Sequence, residues 1–458
     1  PYFPFLDSLR RGLHLDEQDS LAESLEKVVA NVREIDVSLE RFLPIYLHLL
    51  SIPSTHALPV ELKGEALRRT MEEALAAMIT SVTRTKPMVF IIEDWHWSDA
   101  ASQSALRRLL RVIGSYRLMV IISYRPGYSF DFGSAGSRMA IRLSPLNEAE
   151  TQVLLCNVTG AEAAPADLAA LICRNADGNP LFVEETCYSL LESGAILVRD
   201  RQLVLRQTLD RLLLPDTIQA VIRARLDRLD QGAREMAGRA AVIGRVFTQR
   251  VLTRICPASI RLNESLDALL DQEVVHQTKI LPEPEYTFKH VLTREVAYDA
   301  LSHQQRKQLH EAVGQAIEEL YAERLAENAP ILFHHYSRSS EVKKAIQFAL
   351  LAGEQAANLY ANTEAATYFN DALAFAKSLP DSPEAKRWQI DAIVGLAATG
   401  TVTAERENLE LACKFAEELQ DRRRLTLALY WLGRNYYVAA ELKRAIEYAR
   451  RSLELADE

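Results

Sequence analysis

The 458-residue chain contains no G-x-x-x-x-G-K-[ST] run, so it has no loop of the usual kind for cradling a nucleotide's phosphates. Its cysteines are few. Cys156, Cys173, Cys187, Cys256 and Cys413 stand far apart and form no C-x-x-C pair. That spacing argues against a zinc site and a disulfide framework, and fits reduced, buried thiols in a cytosolic protein. No apolar run approaches the roughly 20 residues of a membrane helix, and no signal peptide is visible. Positive charge is not in excess: 53 Lys and Arg against 62 Asp and Glu leave a net charge of −9. A dedicated nucleic-acid binder usually carries a basic field instead. The chain opens on Pro1 rather than methionine and closes at Glu458 inside a helical pattern, so a fragment of a longer protein is expected.

What is present is mostly helix. Residues 1 to about 87 carry apolar positions at three-and-four spacing, as in "LAESLEKVVANV", until Pro87 breaks the pattern. "MVFIIE" (88–93) is a continuous apolar run, expected as a strand buried on both faces. A helix at about 100–113, then "RLMVIISY" (117–124) and "MAIRL" (139–143), predict two more strands of a parallel sheet. Helices follow on either side of "DGNP" (177–180), the second ending at Gly194. "LPDTIQAVIRARLDRL" opens a new unit near 214, with Asp216 or Thr217 as the helix cap. Short helices then lead to "EVVHQ" (273–277) and "YTFKH" (286–290), which pair as a β-ribbon; this sequence of elements describes a winged helix.

From about 305 onward the chain is helical and alanine-rich. Gly353 is followed by Ala356, Ala365, Phe369 and Ala372, and Gly433 by Tyr436, Ala445 and Ala449. These offsets match a tetratricopeptide-like repeat, whose small residues let the two helices of a hairpin approach closely. Gly395 marks a degenerate unit between them. A generic helical bundle is the plainer alternative.

Chemistry concentrates where strands end. In "FIIEDWHWSD" (90–99) the apolar residues Val89–Ile92, the last three of them in this stretch, lead into Glu93 and Asp94. The carboxyl edge of an open α/β sheet is where ligands bind. Magnesium takes hard oxygen ligands, commonly one or two of them from protein. The second acid would orient a water; the bland alternative is a helix cap or a solvated pair. Arg125 in "SYRP" ends the next strand, well placed for bidentate phosphate contact or simply exposed in a loop.

"EDWHWSD" followed by a helix and an apolar strand ending in "SYRP" resembles the ATPase core of the signal-transduction ATPases with numerous domains, and the related AAA-like modules attached to nucleotidyl cyclases, LuxR-type regulators and protein kinases. The resemblance implies that Glu93 and Asp94 hold magnesium, with His96 and Trp97 completing the motif. The family's first acid is often aspartate, and this chain has glutamate. It implies that Arg125 senses the terminal phosphate. "GNPLFVEE" (178–185) resembles the family's Gly-x-Pro motif, which implies that Gly178 shapes a turn and Pro180 packs on adenine. His290, in "YTFKHVLTREVAYDAL", is implied as the histidine that reaches back to the phosphate. "PYFPF" also looks like family sequence from the stretch after the phosphate loop, so the chain is expected to begin downstream of that loop.

The expected fold is mostly α with an α/β part: a partial P-loop NTPase core at 1–145, a helical lid at 146–212, a winged helix at 213–304 and tetratricopeptide-like repeats at 305–458. The resemblance implies a cytoplasmic, ATP-dependent regulatory switch. It would use ATP or ADP with Mg2+, hydrolyse slowly, and signal through domain repacking to a protein partner on the repeats and to an output domain elsewhere in the polypeptide. The fragment alone is expected to bind nucleotide poorly. The alternative is a nucleotide-independent interaction scaffold on an inert ATPase fold. A DNA-binding role is poorly supported, because "SIRLNESLDALLDQE" (259–273) carries Glu264, Asp267, Asp271 and Glu273 against Arg261.

Overall fold

Two compact units make up the chain: Pro1–Arg138 with Ile317–Glu458, and Met139–Ala316. They are described from a computed structural model covering residues 1–458 except 17, 57, 60–61, 134–137, 207, 210–213, 215–216, 258–259, 281–282, 401–405 and 458. The architecture is mostly helical with small sheets, including one parallel pair.

The first unit begins with α1 (Phe3–Gly12), α2 (Leu21–Ile35), α3 (Leu43–Leu49) and α4 (Glu65–Val82). Helix α2 starts at a capping box: Ser20 accepts from Glu23 N, and the Glu23 side chain takes the Ser20 amide in return. Then come β1 (Met88–Ile92), α5 (Ala100–Val112) and β2 (Leu118–Ile122). The two strands pair in parallel, Met88 opposite Leu118 through Ile92 opposite Ile122. Met88, Phe90, Ile92, Leu118, Val120 and Ile122 pack into the core.

Two expectations are corrected here. The strand at 88–92 is covered on one face only, since Val89 and Ile91 are 55% and 60% exposed. A two-stranded pleat points alternate residues away from the core, and among the described residues no helix lies over that side. The run at 139–143 forms no ladder with any described strand, and Met139, Ile141 and Leu143 are exposed. Apolar alternation alone gives a strand only when a neighbour takes its backbone groups.

The rest of this unit is a row of antiparallel helices: α15 (Leu325–Tyr336), α16 (Val342–Asn358), α17 (Asn362–Ser378), α18 (Pro383–Thr399), α19 (Arg406–Glu418), α20 (Arg422–Val438) and α21 (Leu442–Asp457). The expected glycines sit at helix crossings. Gly353 and Gly395 both face the Phe369 ring, where an added Cβ would come within 2.7 and 2.5 Å of its Cε1. Gly395 therefore works as a repeat position on the same aromatic ring. Gly433 makes room for the α21 backbone at Ala445 and Ala449.

This row shares one apolar core with residues of α1–α5. Polar ties reinforce it: Arg10 with Glu327 at 2.7 Å, Arg324 with the hydroxyl of Ser24 at 2.8 Å, and His48 Nε2 with the Asn358 carbonyl at 3.0 Å.

The second unit holds two small cores. One gathers α6 (Glu148–Thr159), α7 (Ala166–Asn175), α8 (Pro180–Glu192) and the hairpin of β3 (Ile196–Arg199) and β4 (Gln202–Leu205). Helix α8 closes at Gly194, whose φ is +68°. The other core is a winged-helix arrangement. It contains α9 (Ile218–Arg228), α10 (Gln231–Ile243), α11 (Gln249–Ile255), α12 (Leu262–Asp271) and α13 (Val291–Asp299). These surround an antiparallel sheet in the order β5 (Val246–Thr248), β7 (Glu285–Phe288), β6 (Val275–Lys279). Thr217 caps α9 by accepting from Ala220 N; Asp216 lies outside the described residues. The boundary between units falls within α14 (His303–Leu320).

Candidate functional site

The acidic turn is built by backbone pairing. Ser123 N donates to the Ile92 carbonyl at 3.0 Å, and Trp95 N donates to the Ser123 carbonyl at 2.9 Å. Asp94 N donates to Ser123 Oγ at 3.2 Å. Between these anchors Asp94 turns left-handed, with φ +53°, a conformation that Asp tolerates better than most residues. The chain then buries Trp95, 1% exposed, edge-on against Phe130 at 5.6 Å. That anchor leaves Glu93 and Asp94 exposed at the carboxyl end of β1.

Arg125 lies just past the carboxyl end of the paired strand β2, so the register brings it to the same sheet edge as the two acids. Its guanidinium makes no ion pair among the described residues, and it is exposed. Two carboxylates and a guanidinium therefore face outward at one edge. The donors fit magnesium, which commonly takes one or two protein carboxylates and fills its octahedron with water and phosphate oxygens. Among the described residues there is no cluster of three or more His, Cys, Asp or Glu able to hold a metal by itself.

The other three expected residues fall in the second unit. Gly178 has φ +65°, and an added Cβ would clash with the Leu146 backbone; its carbonyl accepts from Leu146 N at 2.8 Å. Asn179 caps α8 through Oδ1, which accepts from Leu181 N at 3.0 Å. Pro180 opens that helix and is exposed, a first-turn position suited to proline.

One turn further, Glu184 Oε1 accepts from Lys289 Nζ at 2.7 Å, beside His290. Burial works against the Lys289 charge, yet hydrogen bonds to Glu184 and Glu273 prevail and hold its pKa above the ordinary lysine value. Glu185, 2% exposed, pairs with Arg225 at 2.5 Å. The Tyr188 ring has the Arg225 guanidinium at 5.0 Å and Lys289 Nζ at 5.2 Å. His290 is the N-cap residue of α13 but makes no cap bond, and its Nε2 is buried without a partner among the described residues. Burial lowers its pKa, against the opposing pull of Glu185 and Glu184.

Glu93, Asp94 and Arg125 thus lie at one sheet edge; Gly178 and Pro180 lie at the start of α8, and His290 follows Lys289, which is paired with Glu184 of that helix. Sequence reading missed Ser123, which a strand-end serine opposite the acids could have suggested. It also missed Arg225, Glu185, Lys289 and Tyr188, whose partners lie up to 105 positions away and leave no local signal.

Comparison with known proteins gives likenesses of three kinds. Residues 147–203 match a family described as "Domain of unknown function (DUF8739)". The chain is 25% identical over 373 residues to the uncharacterized protein R02095 of Rhizobium meliloti (strain 1021), a match covering 80% of this chain. The match spans 36% of that relative's length. Among solved structures, a signal-transduction ATPase with numerous domains (STAND) that has a tetratricopeptide repeat sensor, PH0952 from Pyrococcus horikoshii, aligns with a TM-score of 0.40 and 12% identity. That alignment covers 92% of this chain and 69% of the other. No helix among the described residues is long and apolar enough to cross a membrane.

Proposed function

We propose that this chain is the nucleotide-responsive part of a larger cytoplasmic signalling protein, an ATP-binding switch related to the signal-transduction ATPases with numerous domains. The carrying observation is the sheet edge where Ser123 pins the exposed acids Glu93 and Asp94 beside Arg125, which is exposed and makes no ion pair among the described residues. Glu93 and Asp94 would hold Mg2+ or orient a water, and Arg125 would bind phosphate oxygens in a bidentate fork. Gly178 would shape the turn that presents Pro180 to the base, and His290 would offer a ring nitrogen to phosphate. Bound ATP with Mg2+ supplies the phosphoryl charge that these residues would recognise. ATP and ADP would bias the packing of the chain only through different affinities for its arrangements. Hydrolysis in the complete protein would be slow, and the four-part division at 145, 212 and 304 belongs to this same reading.

The helical row would take a protein partner, as extended repeat surfaces do. Direct DNA contact through α12 is disfavoured, because Glu264, Asp267 and Asp271 are exposed there.

The test is Mg2+-dependent binding of a fluorescent ATP analogue to the natural gene product that carries this chain. The expected result is binding that loses its Mg2+ dependence in E93Q/D94N. Absence of Mg2+-dependent nucleotide binding in the parent overturns the reading and leaves the nucleotide-independent scaffold.

A further inference from the structure

We propose that Glu364 couples the helical row to the acidic turn, by closing an open amide at the start of the helix that follows Glu93 and Asp94. Ala100 N donates to Glu364 Oε1 at 2.8 Å, across 264 positions of sequence. Ala100 is the first residue of α5, so its N–H has no acceptor within the helix. The amide of Ser102 is closed locally by Asp99 Oδ1 at 2.7 Å. A second carboxylate at this end is favoured by the helix dipole, but here it comes from the first turn of α17.

The path from this contact to the acids is short. From Asp94 the backbone runs through a 3-10 turn, Trp95–Trp97, then Ser98 and the N-cap Asp99, to Ala100. It is fixed at one end by Ser123 and at the other by Glu364. Asp99 is tied once more, accepting from Tyr2 N at 3.3 Å. A shift of α17 therefore moves the second anchor of the segment that carries the acids.

The seam around this contact is not saturated. Glu364 Oε2 and the Tyr2 hydroxyl are buried without hydrogen-bond partners among the described residues, and so, in the segment between the acids and Ala100, are Trp95 Nε1 and both ring nitrogens of His96. Such groups are uncommon in folded proteins. A seam that carries several of them is less firmly bonded than a saturated one, so rearranging it costs less. Coupling of this kind is reciprocal: a molecule that binds the row and displaces α17 alters the turn, and a ligand on the turn alters what the row binds.

Glu364 is thus a positioning residue. The importance of the turn rests on the function proposed above, whereas the mechanical link does not. Hydrogen exchange read by mass spectrometry tests it on the 458-residue chain, without nucleotide. E364L is expected to raise exchange over residues 93–103 about tenfold, the effect of losing a charge-assisted hydrogen bond, with α18–α21 unchanged. E364Q keeps an oxygen that can accept from Ala100 N and is expected to stay close to the parent. Unchanged exchange at 93–103 in E364L overturns the proposal. So does loosening of the whole row in both variants, which would mark Glu364 as an ordinary stabilising residue. Neither result depends on nucleotide binding, so this link and the ATP reading stand or fall separately.

Discussion

The acidic edge of β1–β2 and the junction between α8 and the winged helix treat charge in opposite ways. At the edge, Glu93, Asp94 and Arg125 are exposed, and the backbone of Ser123 does the positioning. At the junction, Glu185 pairs with Arg225, and Glu184 and Glu273 share Lys289, around Tyr188. A charge already paired in a buried setting is costly to separate and so serves the fold. At the sheet edge the charged groups are exposed instead. Perturbed or clustered charge alone does not mark a functional site.

The comparison is broken most severely at the junction. Arg225→Ala strands Glu185, 2% exposed, and is expected to destabilise the second unit by about 3–5 kcal/mol, the usual result of removing one partner of a buried pair. Urea unfolding monitored by circular dichroism reads it. Gly178→Ala follows, at about 3 kcal/mol, from a left-handed backbone position and a clash that forces Leu146 to shift. A thermal melt is sufficient to see it. At the acidic edge the expected outcome is reversed. E93Q/D94N changes stability by less than about 0.5 kcal/mol, as exposed substitutions usually do, while removing Mg2+ dependence. A large loss of stability there would erase the distinction between the two regions.

The smallest expected effect is a pH dependence at His290. Its folded pKa lies below the unfolded value because burial disfavours the imidazolium. The unfolded chain therefore binds the proton more readily, and stability falls as pH drops below the ordinary histidine range. Histidine 290 replaced by glutamine, His290→Gln, should flatten that part of a stability–pH profile in guanidinium titrations. An unaltered profile would assign the slope to other groups.

Several elements were legible without a fold. β1 and β2 announced themselves as apolar runs ending at polar residues, and Gly194, Thr217 and the repeat glycines marked helix ends and crossings by local chemistry. The run at 139–143 misled because it carries strand-like alternation, and alternation specifies a face but no neighbour. The burial of "MVFII" on both faces was misjudged for a related reason: a continuous apolar run states what could be covered, and the pleat decides what is. Phe369 shows the reverse case, since nothing near it in sequence reveals that two glycines from different helices, Gly353 and Gly395, make room for one ring.

By itself the sequence determined the helical character of the chain, the acids at the end of a strand, the Gly-Asn-Pro turn and the glycine-spaced repeats, because each depends on residues within a few turns of one another. Only the tertiary structure decided that Ser123 pins the acids, that Arg225 neutralises Glu185, and that Glu364 closes the start of α5. Those pairings join distant parts of the chain, and burial and register select them from many carboxylates and amides that look alike in sequence.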